Sequence, residues 1–123
     1  MSIRVLLADD HESVRVAVSR LLKSDPEIEL VAEAASFVQA AQLAAELQPH
    51  VVVIDLHMRD DGKVSPLAIK SSLADTKVLA ISIWNDDEAK ALAESIGALT
   101  LLDKINLAHE LIPTIKQCAV GSQ

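Results

Sequence analysis

Polar residues follow directly on apolar, β-branched runs at several points: Asp9-Asp10 after Ile3 to Ala8, Asp55 after Val51 to Ile54, Ser82 closing the run from Lys77, and Asp103-Lys104 after Ala98 to Leu102. Singly, each has an ordinary explanation, since Asp9 or Asp10 can cap a helix, Asp55 can open a turn, and Ser82 and Lys104 can face water. Together they make a set of three carboxylates (Asp9, Asp10 and Asp55), a hydroxyl and an ammonium, each placed at the end of a strand-like run. Two carboxylates about 5 Å apart repel by roughly 3 kcal/mol at an effective dielectric near 20, so three ionised together need a counter-charge. A donor set of oxygens, without thiolates or convergent imidazoles, suits Mg²⁺ or Mn²⁺, and Mg²⁺ readily takes a phosphate oxygen as a further ligand. The chemistry expected is therefore that of a phosphorylated ligand. Lys104 supplies a point charge for a phosphoryl oxygen, Ser82 a hydroxyl donor, and the central Asp55 a nucleophile able to form an aspartyl phosphate.

The elements that must position these groups alternate regularly. Ile3 to Ala8 reads as a strand, and Val14, Val18, Leu21 and Leu22 then fall at helical spacing until Asp25-Pro26-Glu27. Glu29 to Ala34 alternates charged and apolar residues as a half-exposed edge strand does. Ser36 can cap an Ala-rich helix reaching Leu47, and Pro49 precedes Val51 to Ile54, the most uniformly apolar β-branched run, expected to be a central strand covered on both faces. The polar loop Asp60-Asp61-Gly62-Lys63 leads to Ser65-Pro66, the cap and first residue of a third helix ending near Leu73. Lys77 to Ser82 is the fourth strand; Asn85 with Asp86, Asp87 and Glu88 starts an acidic helix that Gly97 ends, and Ala98 to Leu102 is the fifth strand. The last helix is expected to begin near His109 or Glu110, so that Pro113 falls in its first turn. Five βα units imply a doubly wound α/β fold with a parallel sheet, right-handed crossovers and a ligand site at the carboxyl ends of the strands.

Composition narrows the function. The 123 residues carry 11 Lys+Arg against 18 Asp+Glu, a net charge of −7 that opposes direct binding to nucleic acid or an anionic membrane surface. Phe37 and Trp84 are the only aromatic residues, so the core must be aliphatic. Cys118 has no partner for an internal disulfide, and the start lacks the apolar stretch of a secretory signal; a cytoplasmic location is expected. No apolar run approaches the roughly 18–20 residues needed to cross a bilayer. Residues 1–123 are expected to form one domain.

Over almost its entire length the sequence resembles the receiver domains of two-component response regulators. Ala8-Asp9-Asp10-His11, Val53-Ile54-Asp55-Leu56-His57-Met58, Ser82, Gly97-Ala98 and Lys104 stand in the family's order and approximate spacing. The opening residues and the Gly97-Ala98 region are most similar to the NarL/FixJ branch, whose receivers usually precede a DNA-binding domain. The resemblance implies a CheY-like fold with strand order 2-1-3-4-5 and phosphorylation of Asp55 by a sensor histidine kinase, followed by self-catalysed hydrolysis. It implies that Asp10, Asp55 and the backbone carbonyl of His57 bind Mg²⁺ directly, with Asp9 acting through water, and that Ser82 and Lys104 hold phosphoryl oxygens and drive the switch. The implied output is a changed surface on strands four and five and the last two helices, read by an output domain, a downstream protein or a second copy in a homodimer.

Four positions depart from the family pattern. Arg59 follows Met58 where Pro is frequent, Thr100-Leu101 replaces Gly and an aromatic, Ile105 replaces Pro after Lys104, and the loop after Asp55 is about one residue short. With Leu101 in place of the aromatic, a second reading is a receiver-like module that binds a partner or dimerises regardless of phosphate. A third, a Mg²⁺-dependent hydrolase of the haloacid dehalogenase type, expects an acid/base Asp two residues after the nucleophile, and His57 stands there. The reading adopted is a switch rather than an enzyme acting on a separate substrate. Trp84 either covers local apolar surface or gates Asp55 and meets a partner. Asp86, Asp87 and Glu88 compensate a helix dipole. The imidazoles of His11 and His57 flank the cup without a ligand role, His50 and His109 are surface or cap residues, and Cys118 is structural.

Overall fold

The structure is a computed structural model that describes residues 2–60 and 62–120; Asp61 of the polar loop and the tail from Gly121 lie outside the described residues. The chain runs β1 (Ile3–Ala8), α1 (Glu12–Lys23), β2 (Ile28–Ala34), α2 (Phe37–Leu47), β3 (Val51–Asp55), α3 (Pro66–Ser72), β4 (Lys77–Ser82), α4 (Asp87–Ser95), β5 (Ala98–Asp103) and, after a 3-10 turn over Lys104–Asn106, α5 (Leu107–Val120). The strands form one parallel sheet in the order β2-β1-β3-β4-β5.

Burial on two faces explains the unbroken apolar runs Val5 to Ala8, Val51 to Ile54 and Val78 to Ile81 in the inner strands. Val5, Leu7, Val51, Val53, Leu79 and Ile81 face one side, against Val18 and Leu22 of α1 and Leu111 and Ile115 of α5. Leu6, Ala8, Val52, Ile54 and Ala80 face the other, where Ala40 and Ala44 of α2 and Ala89 and Ala93 of α4 line the helices. Alanine at the helix surface allows close approach to the sheet while keeping the backbone helical. Register then fixes the carboxyl ends: Ala8 lies beside Ile54, Asp55 beside Ile81, and Ser82 beside Asp103.

Local signals terminate the helices as the sequence predicts. Ser36, Ser65 and Asp86 each accept the N–H three residues on, at 3.1, 3.1 and 2.8 Å, and Pro66 opens α3. Gly97 takes a φ of +83°, which a side chain disfavours, to turn the chain from α4 into β5. A cap the sequence did not disclose lies at α2, where both oxygens of Asp60, 23 residues away from Phe37, accept the Phe37 and Val38 N–H groups at 2.9 and 3.1 Å.

The start of α5 differs from expectation. The helix begins at Leu107, and Pro113 is its seventh residue. Leu107, Leu111 and Ile115 make a buried stripe at four-residue spacing, and burying such side chains is worth about 1.5–3 kcal/mol each, which offsets the helix bond that Pro113 cannot make. The carbonyl left without its helical donor belongs to His109, an exposed residue where water can serve it. β2 starts one residue early because Ile28 pairs with Ile3, and β5 includes Asp103. His50 is more than a surface residue: its Nδ1 accepts the Arg4 N–H at 2.9 Å, and its own N–H and carbonyl bond Arg4 and Lys77, stitching the amino ends of three strands.

Candidate functional site

The parallel sheet brings Asp9, Asp10, Asp55 and Lys104 together at its carboxyl edge, as their strand-end positions predict. Lys104 Nζ lies 2.8 Å from Asp9 Oδ2 and 3.3 Å from Asp55 Oδ2. Asp9 is fully buried: its N–H bonds Ala34, its carbonyl accepts Arg15 Nη1 at 2.7 Å, and its Oδ1 accepts the His11 N–H at 2.9 Å. Arg15 in turn lies 3.4 Å from Glu33, tying α1 to β2 behind the cup. Asp55 is likewise buried, with Oδ1 accepting the His57 N–H at 3.2 Å.

One ammonium is too little for this much buried negative charge. Among the described residues Asp9 Oδ2, Asp10 Oδ1 and Asp55 Oδ2 are buried and accept no hydrogen bond, although nitrogens of His11 and Lys104 lie near. Desolvation, reinforced by the Asp9 charge, pushes Asp55 up from its ordinary value of 3.8 to about 6, Lys104 pulling the opposite way. Buried carboxylate oxygens without donors fit a hard cation. Ligand atoms of Asp9, Asp10, His11 and Asp55 all lie within 4.8 Å of one another. The donor set therefore fits a divalent cation.

Ser82 is buried at the end of β4, and its Oγ accepts the Trp84 N–H at 3.0 Å. Trp84 is half exposed and meets the His57 ring edge to face, centroids 4.9 Å apart. The two rings, with Asp86, Glu88, Ala89 and Leu92, line a hollow of about 270 Å³ beside the cup. After β5, Asp103 Oδ1 accepts the Ile105 N–H at 2.9 Å, a bond that the proline frequent at that position would lack. A larger hollow, about 800 Å³, lies at the opposite end of the sheet around Pro49, His50 and Asp75, away from the carboxylates.

His11 flanks the cup as the sequence reading expects, its Nδ1 3.0 Å from Asp10 Oδ1; it occupies the cap position of α1 without using its side chain to cap. The signal available was its place directly after two carboxylates. The Asp60 bond to α2 joins residues far apart in sequence and left no local signature.

The profile of the response regulator receiver domain matches residues 5–116. The chain belongs to this family. As a receiver domain it is a signalling module of two-component response regulators rather than an enzyme of the usual kind. It is 36% identical over 120 residues to the transcriptional regulatory protein LiaR of Bacillus subtilis, covering 97% of this chain and 57% of that protein. It is 34% identical to the response regulator protein VraR of Staphylococcus aureus, over 98% of this chain and 58% of the relative. The receiver domain thus spans less than three-fifths of these relatives. Its fold superposes on the signal receiver domain of the response regulator NarL from Mycobacterium tuberculosis with a TM-score of 0.87 at 26% identity, 98% of each chain covered. A LuxR-family two-component response regulator from Aurantimonas gives the same TM-score at 27% identity, over 98% of this chain and 87% of the other. Among the described residues no helix is long and apolar enough to cross a membrane.

Proposed function

We propose that Asp55 is the phosphoacceptor of this receiver domain, and that residues 1–123 act as one phosphorylation switch. The observation that carries this is the group of buried Asp9 and Asp55 with half-buried Asp10 beside one lysine, with carboxylate oxygens that accept no hydrogen bond. Asp10, Asp55 and the His57 carbonyl would hold Mg²⁺, or Mn²⁺ in its place, while Asp9, already paired with Lys104, would act through water. The cation, when bound, neutralises the carboxylates and the incoming phosphoryl charge.

The protein's own groups do the rest. The His57 N–H fixes the Asp55 carboxylate for attack on phosphorus. An Asp55 oxygen forms the O–P bond while the N–P bond of a phosphohistidine on the sensor kinase breaks, its electron pair returning to the imidazole. Lys104 then exchanges a carboxylate partner for a phosphoryl oxygen, and the Ser82 hydroxyl donates to another. Leu101, the position of the missing aromatic, is already packed against the core beside α4. The readout therefore leaves through Ser82 and Trp84 and the face of β4, β5, α4 and α5. By analogy with the regulators it resembles, that face would meet an output domain, a downstream protein or a second copy, and the cell compartment would be the cytoplasm.

Intact mass after incubation with acetyl phosphate and Mg²⁺, beside an Asp55→Ala variant, tests the assignment while Trp84 emission follows beryllofluoride binding. One acid-labile phosphoryl group that requires Asp55 and Mg²⁺, with an emission change, supports it. An unchanged mass together with no beryllofluoride binding by calorimetry would overturn it in favour of a phosphate-independent interaction module.

A further inference from the structure

We infer that His11 is a nitrogen ligand of the cation bound in this cup, so that the site prefers first-row transition ions such as Mn²⁺ over Mg²⁺ more strongly than its carboxylates alone would. The inference rests on the proposed cation site and adds a ligand to it.

His11 Nδ1 lies 3.0 Å from Asp10 Oδ1, 3.3 Å from Asp9 Oδ1 and 3.9 Å from Asp55 Oδ2. Ligands of one octahedral ion at about 2.1 Å stand about 3.0 Å apart when adjacent and about 4.2 Å when opposite. The distance to Asp10 is that of adjacent ligands and the distance to Asp55 lies between the two values, and the atoms they reach are two of the three buried carboxylate oxygens that accept no hydrogen bond, the third being Asp9 Oδ2 beside Lys104. At 3.0 Å from Asp10 the ring nitrogen is close enough to donate yet not aligned to do so; its one aligned contact is the long 3.3 Å approach to Asp9. That is the relation of two atoms set side by side around a common centre.

The backbone fixes this placement. The His11 N–H is held by Asp9 Oδ1 at 2.9 Å, and the residue sits at the cap of α1 with extended backbone, φ −87° and ψ 108°, which turns the ring over the cup instead of along the helix. The other ring nearby, His57, is turned to Trp84 in an edge-to-face contact. An imidazole nitrogen is a softer donor than carboxylate or water and raises affinity for Mn²⁺ and later ions more than for Mg²⁺.

Pulsed electron paramagnetic resonance of the Mn²⁺-loaded protein, with Mg²⁺ titrated in to show that both ions share the site, tests this. Modulation from a directly bound imidazole nitrogen is expected in the wild type and in His57→Ala, and is expected to vanish in His11→Ala. The ratio of the Mg²⁺ to the Mn²⁺ dissociation constant should also fall about tenfold in His11→Ala, the scale of a lost ligand or its support, with far-ultraviolet circular dichroism confirming the fold. No nitrogen modulation in a wild-type protein that binds Mn²⁺ and exchanges it for Mg²⁺ would overturn the role of His11 and leave the cation site standing. Modulation lost in His57→Ala but kept in His11→Ala would overturn it as well. Failure of either ion to bind would remove the site and the inference together.

Discussion

Replacing Asp55 by Asn should make the cation-free domain more stable, although it removes a group central to the proposed function. Burial and the Asp9 charge hold Asp55 near 6 in the folded chain against 3.8 ordinarily. That displacement corresponds to about 3 kcal/mol. The sign follows from proton counting. Between the two values the folded form holds the extra proton, so stability falls as pH rises from near 3.8 to near 6 and stays low above that window. Asn cannot ionise, and its carbonyl oxygen can still accept the His57 N–H. In EDTA near neutral pH the Asp55→Asn variant should therefore gain about 2–3 kcal/mol, or very roughly 10 °C in melting midpoint for a domain of this size. Urea titrations from about pH 4 to 8 should show the gain shrinking toward the acid end, and saturating Mg²⁺ should narrow it by binding the wild type more tightly. A variant no more stable than wild type at neutral pH, or a gain that does not change with pH, would refute the electrostatic account of the cup.

Other substitutions test the frame around the site. Asp60→Ala removes the acceptor of two α2 N–H groups and should cost about 1–2 kcal/mol in urea unfolding. Pro113→Ala restores an N–H to an exposed turn of α5 and should raise stability by up to about 3 kcal/mol, with new amide protection at residue 113. Gly97→Ala puts a side chain on a φ of +83° with its Cβ 3.2 Å from Lys70 Cγ. It should cost about 1–2 kcal/mol, and Lys70→Ala in the same chain should recover little of it, because most of the cost is in the backbone.

Where sequence order coincided with spatial order, the fold was legible. Val51 to Ile54 declares a doubly covered strand, Glu29 and Glu33 mark β2 as an edge, and Ser65-Pro66 states the start of α3. Strand-end Asp9, Asp10, Asp55, Ser82 and Lys104 needed only a parallel sheet to share one edge. What escaped was decided by packing between distant segments. Pro113 argued locally for a late α5, yet Leu107, Leu111 and Ile115 had a buried groove to fill, and tertiary burial prevailed. Asp60 reads as a loop residue until α2 is placed beside it. His11 was legible as a neighbour of the cup from its place after Asp9-Asp10, while the aim of its ring depends on a backbone turn held by the Asp9 side chain.

In the proposed switch, the bond between Ser82 Oγ and the Trp84 N–H would link a phosphoryl group on Asp55 to the loop after β4. Ser82 offers one oxygen, and in this structure that oxygen anchors the first turn of chain leaving β4. A serine hydroxyl can donate to a phosphoryl oxygen while its lone pairs still accept an N–H, so a hydroxyl that swings toward the phosphate would draw the Trp84 N–H after it. On the proposed reading the hydroxyl and the loop are the two ends of a lever, and the loop with its tryptophan would shift together with the chemistry at Asp55.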